Sequence, residues 1–279
     1  MTAALLLALA CSLAYGAADF LGGVAARGAH VLRVVVIAAP ASLLVELVLW
    51  PFVGATFDAG AVGWGAASGV ASAVAFALLY RTLAIGPMSV LSPVTALVSA
   101  ALPVAVGLAG GETLSVLAVG GMLLAAAAIV IVSGGTDIHG ARPSQTALLL
   151  AFGAGAAIAV QLVCLDQAPN DSGIGPLLVG RAVSSAVVLG AAFALRAHLG
   201  EARPSLSASA AAGALDSLAN FAFLLAVREG DLAVVAVITA LYPASTVVLA
   251  RAFLAERIGT TQLAGLGLAA VAVSLLAVG

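Results

Sequence analysis

Asp216 and Asn220 stand four residues apart in an apolar stretch, so on a helix they share one face. An acid facing lipid is expensive, which turns the pair toward protein or water and makes it the strongest polar signal in the chain. The plainer reading is hydrogen bonding between helices, worth about 0.6–2 kcal/mol per contact. Asp19 shares a face with Ser12 and Tyr15 at helical spacing. One reading makes Asp19 an interior proton-coupling group; the other leaves it solvated near a helix end. Gln161 is a further mid-stretch polar group that points to a cavity. Thr95 and Thr239 occupy matched places in two similar segments, flanked by Ser92 and Ser99 in one and by Tyr242 and Thr246 in the other. A lone hydroxyl can bond its own helix backbone. Tyr242 carries more, because a buried phenol wants a partner.

Other chemistries are absent from the composition. The chain has 279 residues, and its ten basic residues are all arginine. Without lysine there is no phosphate-binding Gly-Lys-Ser/Thr loop and no Schiff base. His30, His139 and His198 fall far apart in connections, and no HExxH pattern occurs. No cofactor or metal is expected. A net charge of −2 gives no basic footprint for nucleic acid. Cys11 and Cys164 lie in apolar stretches and read as small packing residues.

The elements that must position these groups are membrane helices. Residues are 63% hydrophobic and 8% charged, more apolar than a soluble interior of this size can hide. A helix needs about 20 apolar residues to cross roughly 30 Å of hydrocarbon. Ten such spans read as 3–23, 33–53, 61–83, 89–109, 114–133, 146–165, 175–195, 207–227, 232–254 and 260–278. The first lacks the basic flank of a signal peptide and reads as retained. Pro40, Pro93, Pro103 and Pro243 fall inside spans and can bend them. Gly65 with Gly69, and Gly107 with Gly111, have the spacing that lets helices approach closely. Trp50 reads as an interface anchor. Glu46, deep in span 2 with no obvious base opposite it in sequence, reads either as a second proton site or, preferably, as an inward-facing structural acid.

The chain is written twice. Shifted by 144 residues, 86–130 matches 230–274 without a gap at 13 of 45 positions, five of them Ala on Ala. Gly86 meets Gly230, Glu112 meets Glu256, and Gly121 meets Gly265. Asp216 and Asn220 then map onto Ser72 and Phe76, which places both pairs toward one cavity. Arg33 and Arg181 open spans 2 and 7 at a slightly different offset. A unit of five spans sets its second copy upside down, the inverted repeat of many secondary transporters. The fold expected is an all-α membrane protein of ten transmembrane helices, with repeats over 1–134 and 146–279. Glu112 and Glu256 fall at the turns after spans 4 and 9, where favourable placement at helix N-termini accounts for them.

Thr95-Ala96-Leu97 and Thr239-Ala240-Leu241, followed by Gly111-Glu112 and Ala255-Glu256-Arg257, together with Tyr15-Gly16, resemble the ten-helix EamA-type branch of the drug/metabolite transporter superfamily. Glu112 is followed by Thr113 where the second copy has Arg257. The resemblance implies movement of small metabolites, often amino-acid-like or cationic, across the cell (inner) membrane. It also implies a central cavity lined by spans 1, 3, 4, 6, 8 and 9. Tyr15, Asp19, Ser72, Phe76, Thr95, Gln161, Asp216, Asn220, Thr239 and Tyr242 are the candidate substrate-binding or proton-coupling residues. One chain of ten helices suffices to enclose such a cavity.

Charge placement orients the chain. Arg27, Arg33, Arg81, Arg142, Arg196, Arg203, Arg251 and Arg257 follow odd-numbered spans, and only Arg181 and Arg228 lie on the other side. Positive charge marks the cytoplasm, so both termini are expected outside it. Two other classes stand beside the carrier. An intramembrane aspartyl enzyme would pair Asp19 with Asp216, but Ala18-Asp19-Phe20 and Leu215-Asp216-Ser217 lack its motifs. A passive channel would show neither saturation nor counterflow.

Overall fold

The computed structural model describes residues 2–86, 88–133, 144–196, 199–254 and 259–278. His139, Arg142, His198, Glu256 and Arg257 lie outside them, as does part of the 134–145 connection. Eleven α-helices make up the described chain: α1 Thr2–Arg27, α2 Val31–Val53, α3 Ala59–Ile85, α4 Met88–Ala109, α5 Val116–Ser133 and α6 Gln145–Asp166. α7 Gly175–Ala194, α8 Leu206–Glu229, α9 Leu232–Thr239, α10 Pro243–Leu254 and α11 Thr260–Val278 follow. No strand occurs among the described residues, only an isolated bridge between Ala55 and Gly173. In hydrocarbon a backbone must satisfy its own polar groups, and helices do so within one segment.

Polar residues at the connections begin these helices. Side chains of Asp58, Ser144 and Ser205 accept from Ala61 N (2.8 Å), Ala147 N (3.2 Å) and Ala208 N (3.3 Å). Each satisfies a donor that the first helical turn leaves open. Span 9 differs from its expected form: it breaks into α9 and α10 at 240–242. Pro243 has no N–H to return to the Thr239 carbonyl. Tyr242 N donates there instead at 3.1 Å, and Leu241 N donates to Ile238 O at 3.1 Å, tightening the turn.

Among the described residues, eight helical segments are long and apolar enough to cross a bilayer, with α9 and α10 together forming one. Their outer faces carry Leu13, Val48, Phe52, Phe152 and Phe193, all strongly exposed. Their inner faces carry small residues, with Ala8, Ala38, Ala151, Ala154, Ala212 and Ala219 fully buried. Large apolar groups outside and small ones inside is the pattern of helices packed in lipid, where close backbone approach drives association. Trp50 is part-exposed and meets Phe57 edge-on at 5.7 Å.

The main helix contacts are α1 on α8, α3 on α6, α2 on α8, α3 on α7, α2 on α7, α4 on α6 and α5 on α11. Glycines permit the tightest of these. A Cβ on Gly69 would strike the backbone of Gly180 in α7, and one on Gly213 would strike Ala38 in α2. Gly65 likewise lies against Pro176. The Gly107 and Gly111 pair serves a different end: Gly107 faces the Glu112 carboxylate, and Gly111 turns the chain at φ +95°.

Connections gather at two ends. At one, Arg228 Nη2 donates to Gly173 O at 2.8 Å, and Thr56 N donates to Ser172 O at 3.0 Å. Glu112, from the turn after α4, accepts from Leu232 N (2.7 Å) and Ala233 N (3.0 Å) at the start of α9. The carboxylate therefore caps a helix from another part of the chain rather than the one that follows it. At the other end, Arg33 donates to the carbonyls of Leu199 (3.3 Å) and Gly200.

Candidate functional site

A cavity opens between the helices. α1 contributes Tyr15 and Asp19 to its wall; α3 contributes Ser72, Phe76 and Leu79; α6 contributes Ile158, Gln161 and Leu162. Asp216 of α8, Ser99 of α4, and Thr239 and Tyr242 beside the break in span 9 close it. Eight of the ten residues expected from sequence thus meet in one wall. The break sets Tyr242 there, with its ring edge-on to Tyr15 at 6.3 Å. Tyr242 Oη donates weakly to Ser92 O at 3.4 Å.

Asp19 is 4% exposed and lines the cavity. α1 runs on to Arg27, two turns past Asp19, so the reading of a solvated group at the helix end falls away. Its Oδ2 and the Tyr15 hydroxyl have no hydrogen-bond partner among the described residues. Both share the cavity wall with the apolar Phe76, Leu79 and Ile158 and with the polar Ser72, Gln161, Asp216 and Thr239.

A polar chain runs through the neighbouring helices. Gln161 Nε2 donates to Asn220 Oδ1 at 2.6 Å. Asn220 Nδ2 donates to the Asp216 carbonyl at 2.8 Å and to its Oδ2 at 3.2 Å. Arg181 Nη2 lies 2.7 Å from the same Oδ2, and its Nη1 donates to Ser72 Oγ at 3.0 Å. The guanidinium also sits over the Phe76 ring, 5.8 Å from its centroid. Asn220 therefore faces the side of the cavity rather than the main wall, holding Gln161 and Asp216 in register.

Two expectations change. Thr95 turns from the cavity: its Oγ1 donates to Leu91 O (3.1 Å) and Ala151 O (3.3 Å). Gly155, with no room for a Cβ against the Thr95 carbonyl, draws α6 close enough to take that side chain. Arg181 is not an interfacial charge. It lies two turns inside α7, 3% exposed, paired with Asp216. An ionisable side chain seven residues into an apolar span was the signal for it.

Glu46 also gains partners that its sequence neighbourhood lacks. It is fully buried and accepts from Ser217 Oγ at 2.7 Å. Cys11 and Cys164 are buried free thiols. No group of three or more His, Cys, Asp or Glu able to hold a metal occurs among the described residues.

Residues 145–278 match the model of the EamA-like transporter family. A solved crystal structure shares the fold, with a TM-score of 0.74 and 14% identity, over 100% of this chain and 97% of the other. No curated protein matches. Residues 145–278 thus carry the pattern of the EamA-like transporter family, on a chain of multi-pass helical architecture.

Proposed function

We propose that the protein is a secondary carrier that moves a small metabolite such as an amino acid or amine, in the export direction, across the cell (inner) membrane. The observation that carries this is the cavity itself. Its polar groups come from both halves of the chain, and it adjoins a broken span. Interrupted helices near the midplane are where such carriers bind substrate. Tyr15, Asp19, Ser72, Phe76, Gln161, Asp216, Thr239 and Tyr242 contact the substrate or its coupling proton, and Asn220 orients Gln161 and Asp216.

Ten membrane crossings in two inverted repeats, 1–134 and 146–279, are the architecture of this reading. The pattern of contacts supports it. α1 meets α8 as α6 meets α3, and α2 meets α8 as α7 meets α3. Gly69 and Gly213, 144 residues apart, serve the two equivalent crossings. Rocking between two equivalent packings then alternates access without a second subunit. The family match begins at 145, where the second repeat begins. The partners are the bilayer and a small solute, with no nucleic acid. Arg181 turns inward to Asp216, which leaves the arginine asymmetry sharper and supports termini outside the cytoplasm.

Counterflow in proteoliposomes tests the reading. Preloaded solute should accelerate uptake of labelled solute, and the rate should saturate. A linear, unsaturable flux would make the protein a channel. The aspartyl-enzyme reading requires Asp19 and Asp216 to act as a pair, whereas Asp216 is held by Arg181. Cleavage of a reporter helix by the purified protein would restore it. Comparing metabolites inside and outside cells, with and without the protein, would identify the solute.

A further inference from the structure

Beside the main cavity lies a smaller chamber. It shares Ser72 and Gln161 with the cavity and adds Ser68, Arg181 and Asn220. Gly69 and Gly180 form part of its wall, so backbone rather than side chain stands there. Arg181 is 3% exposed, and a guanidinium presents five donors in a planar fork. Asp216 and Ser72 occupy two positions on that fork. A buried fork flanked by hydroxyls and amides suits a planar oxyanion, above all a carboxylate.

We propose that Arg181 and this chamber form a carboxylate subsite, so that a carboxylate is a required group of the transported molecule. The proposal rests on the carrier reading and narrows it: an amine lacking a carboxylate does not qualify. Asp216 is the resident acid that shares Arg181 with the incoming one. A ligand with an ammonium beside its carboxylate fits both halves of the ion pair. The guanidinium takes the carboxylate, Asp216 accepts the ammonium, and no buried charge is left uncompensated. The remainder of the ligand then lies against Phe76, Leu79, Ile158 and Leu162 in the main cavity.

The test is counterflow by the full chain in proteoliposomes, with a panel of amino acids, their carboxamides and the corresponding amines. Acids should exchange, and amides and amines should compete at least about tenfold more weakly, since one lost bidentate contact costs about a factor of ten. Arg181→Lys should raise the apparent KM about tenfold while the maximal rate holds, because a point charge replaces the fork. Arg181→Gln combined with Asp216→Asn strands no charge; it should remain monodisperse and lose the preference for acids over amides. Exchange of amides or amines as strongly as acids overturns the subsite and leaves the carrier intact. A double variant that still prefers acids also overturns it. Absence of counterflow with every member of the panel overturns the carrier reading and the subsite together.

Discussion

Ser72 and Asp216, 144 residues apart in the chain, hold the same guanidinium. Arg181 donates to the hydroxyl at 3.0 Å and pairs with the carboxylate at 2.7 Å. One arginine from α7 thereby ties α3 to α8, so a movement between those helices must break or exchange a charged contact. Removing one partner of a buried pair strands the other charge. Asp216→Ala is predicted to destabilise the fold by about 3–5 kcal/mol, whereas Arg181→Leu with Asp216→Leu recovers most of the loss. Unfolding by denaturant in detergent measures both; a double variant no better than Asp216→Ala would show the pair is not the cause.

The second buried acid is predicted to depend on its hydroxyl partner. Ser217 Oγ donates to Glu46 Oε1 at 2.7 Å and joins α8 to α2. A double-mutant cycle of Glu46→Leu and Ser217→Ala should give a coupling of about 0.5–3 kcal/mol, the range spanned by buried hydrogen bonds to neutral and charged acceptors. Additive single effects would count against the contact.

Glu112 is predicted to hold the start of α9. Its carboxylate accepts from two amides there, and Asp231 makes no side-chain capping bond. Glu112→Ala should cost about 0.5–2 kcal/mol and speed hydrogen exchange at Leu232 and Ala233. Unchanged exchange at those two amides would reject the cap.

Helix contact through glycine is predicted to discriminate between positions. Gly213→Ala drives a methyl into the Ala38 backbone and should cost about 1–3 kcal/mol. Gly190→Ala meets nothing within 4 Å and should be neutral or stabilising by up to about 1 kcal/mol. Equal stability of the two variants would contradict the α2–α8 packing.

The break in span 9 is predicted to matter for turnover. Pro243→Ala restores a donor able to reach the Thr239 carbonyl and lets α9 run into α10. Counterflow should slow while the protein stays folded. A rate equal to that of the parent protein would show that the break serves packing alone.

Much of this molecule was legible along the chain because lipid imposes a one-dimensional rule. Each crossing needs its own apolar length, so the expected stretches fall close to the helices observed, down to Gln145–Asp166 against 146–165. Helical spacing put Asp216 and Asn220 on one face, and the internal duplication tied them to Ser72 and Phe76. Chain order alone could not say which polar group meets which. Arg33 and Arg181 look alike as the opening arginines of two spans. An offset of one helical turn leaves the first at a connection, bonded to Leu199 and Gly200, and takes the second inside, bonded to Asp216. Thr95 and Thr239 match in sequence, yet the close seat of α6 at Gly155 claims Thr95 for packing. Composition and periodicity determined the solvent, the helices and most of the cavity's wall, since these follow from local burial. Tertiary structure decided the pairings, since a charge deep in lipid is settled only by whichever helix the fold brings beside it.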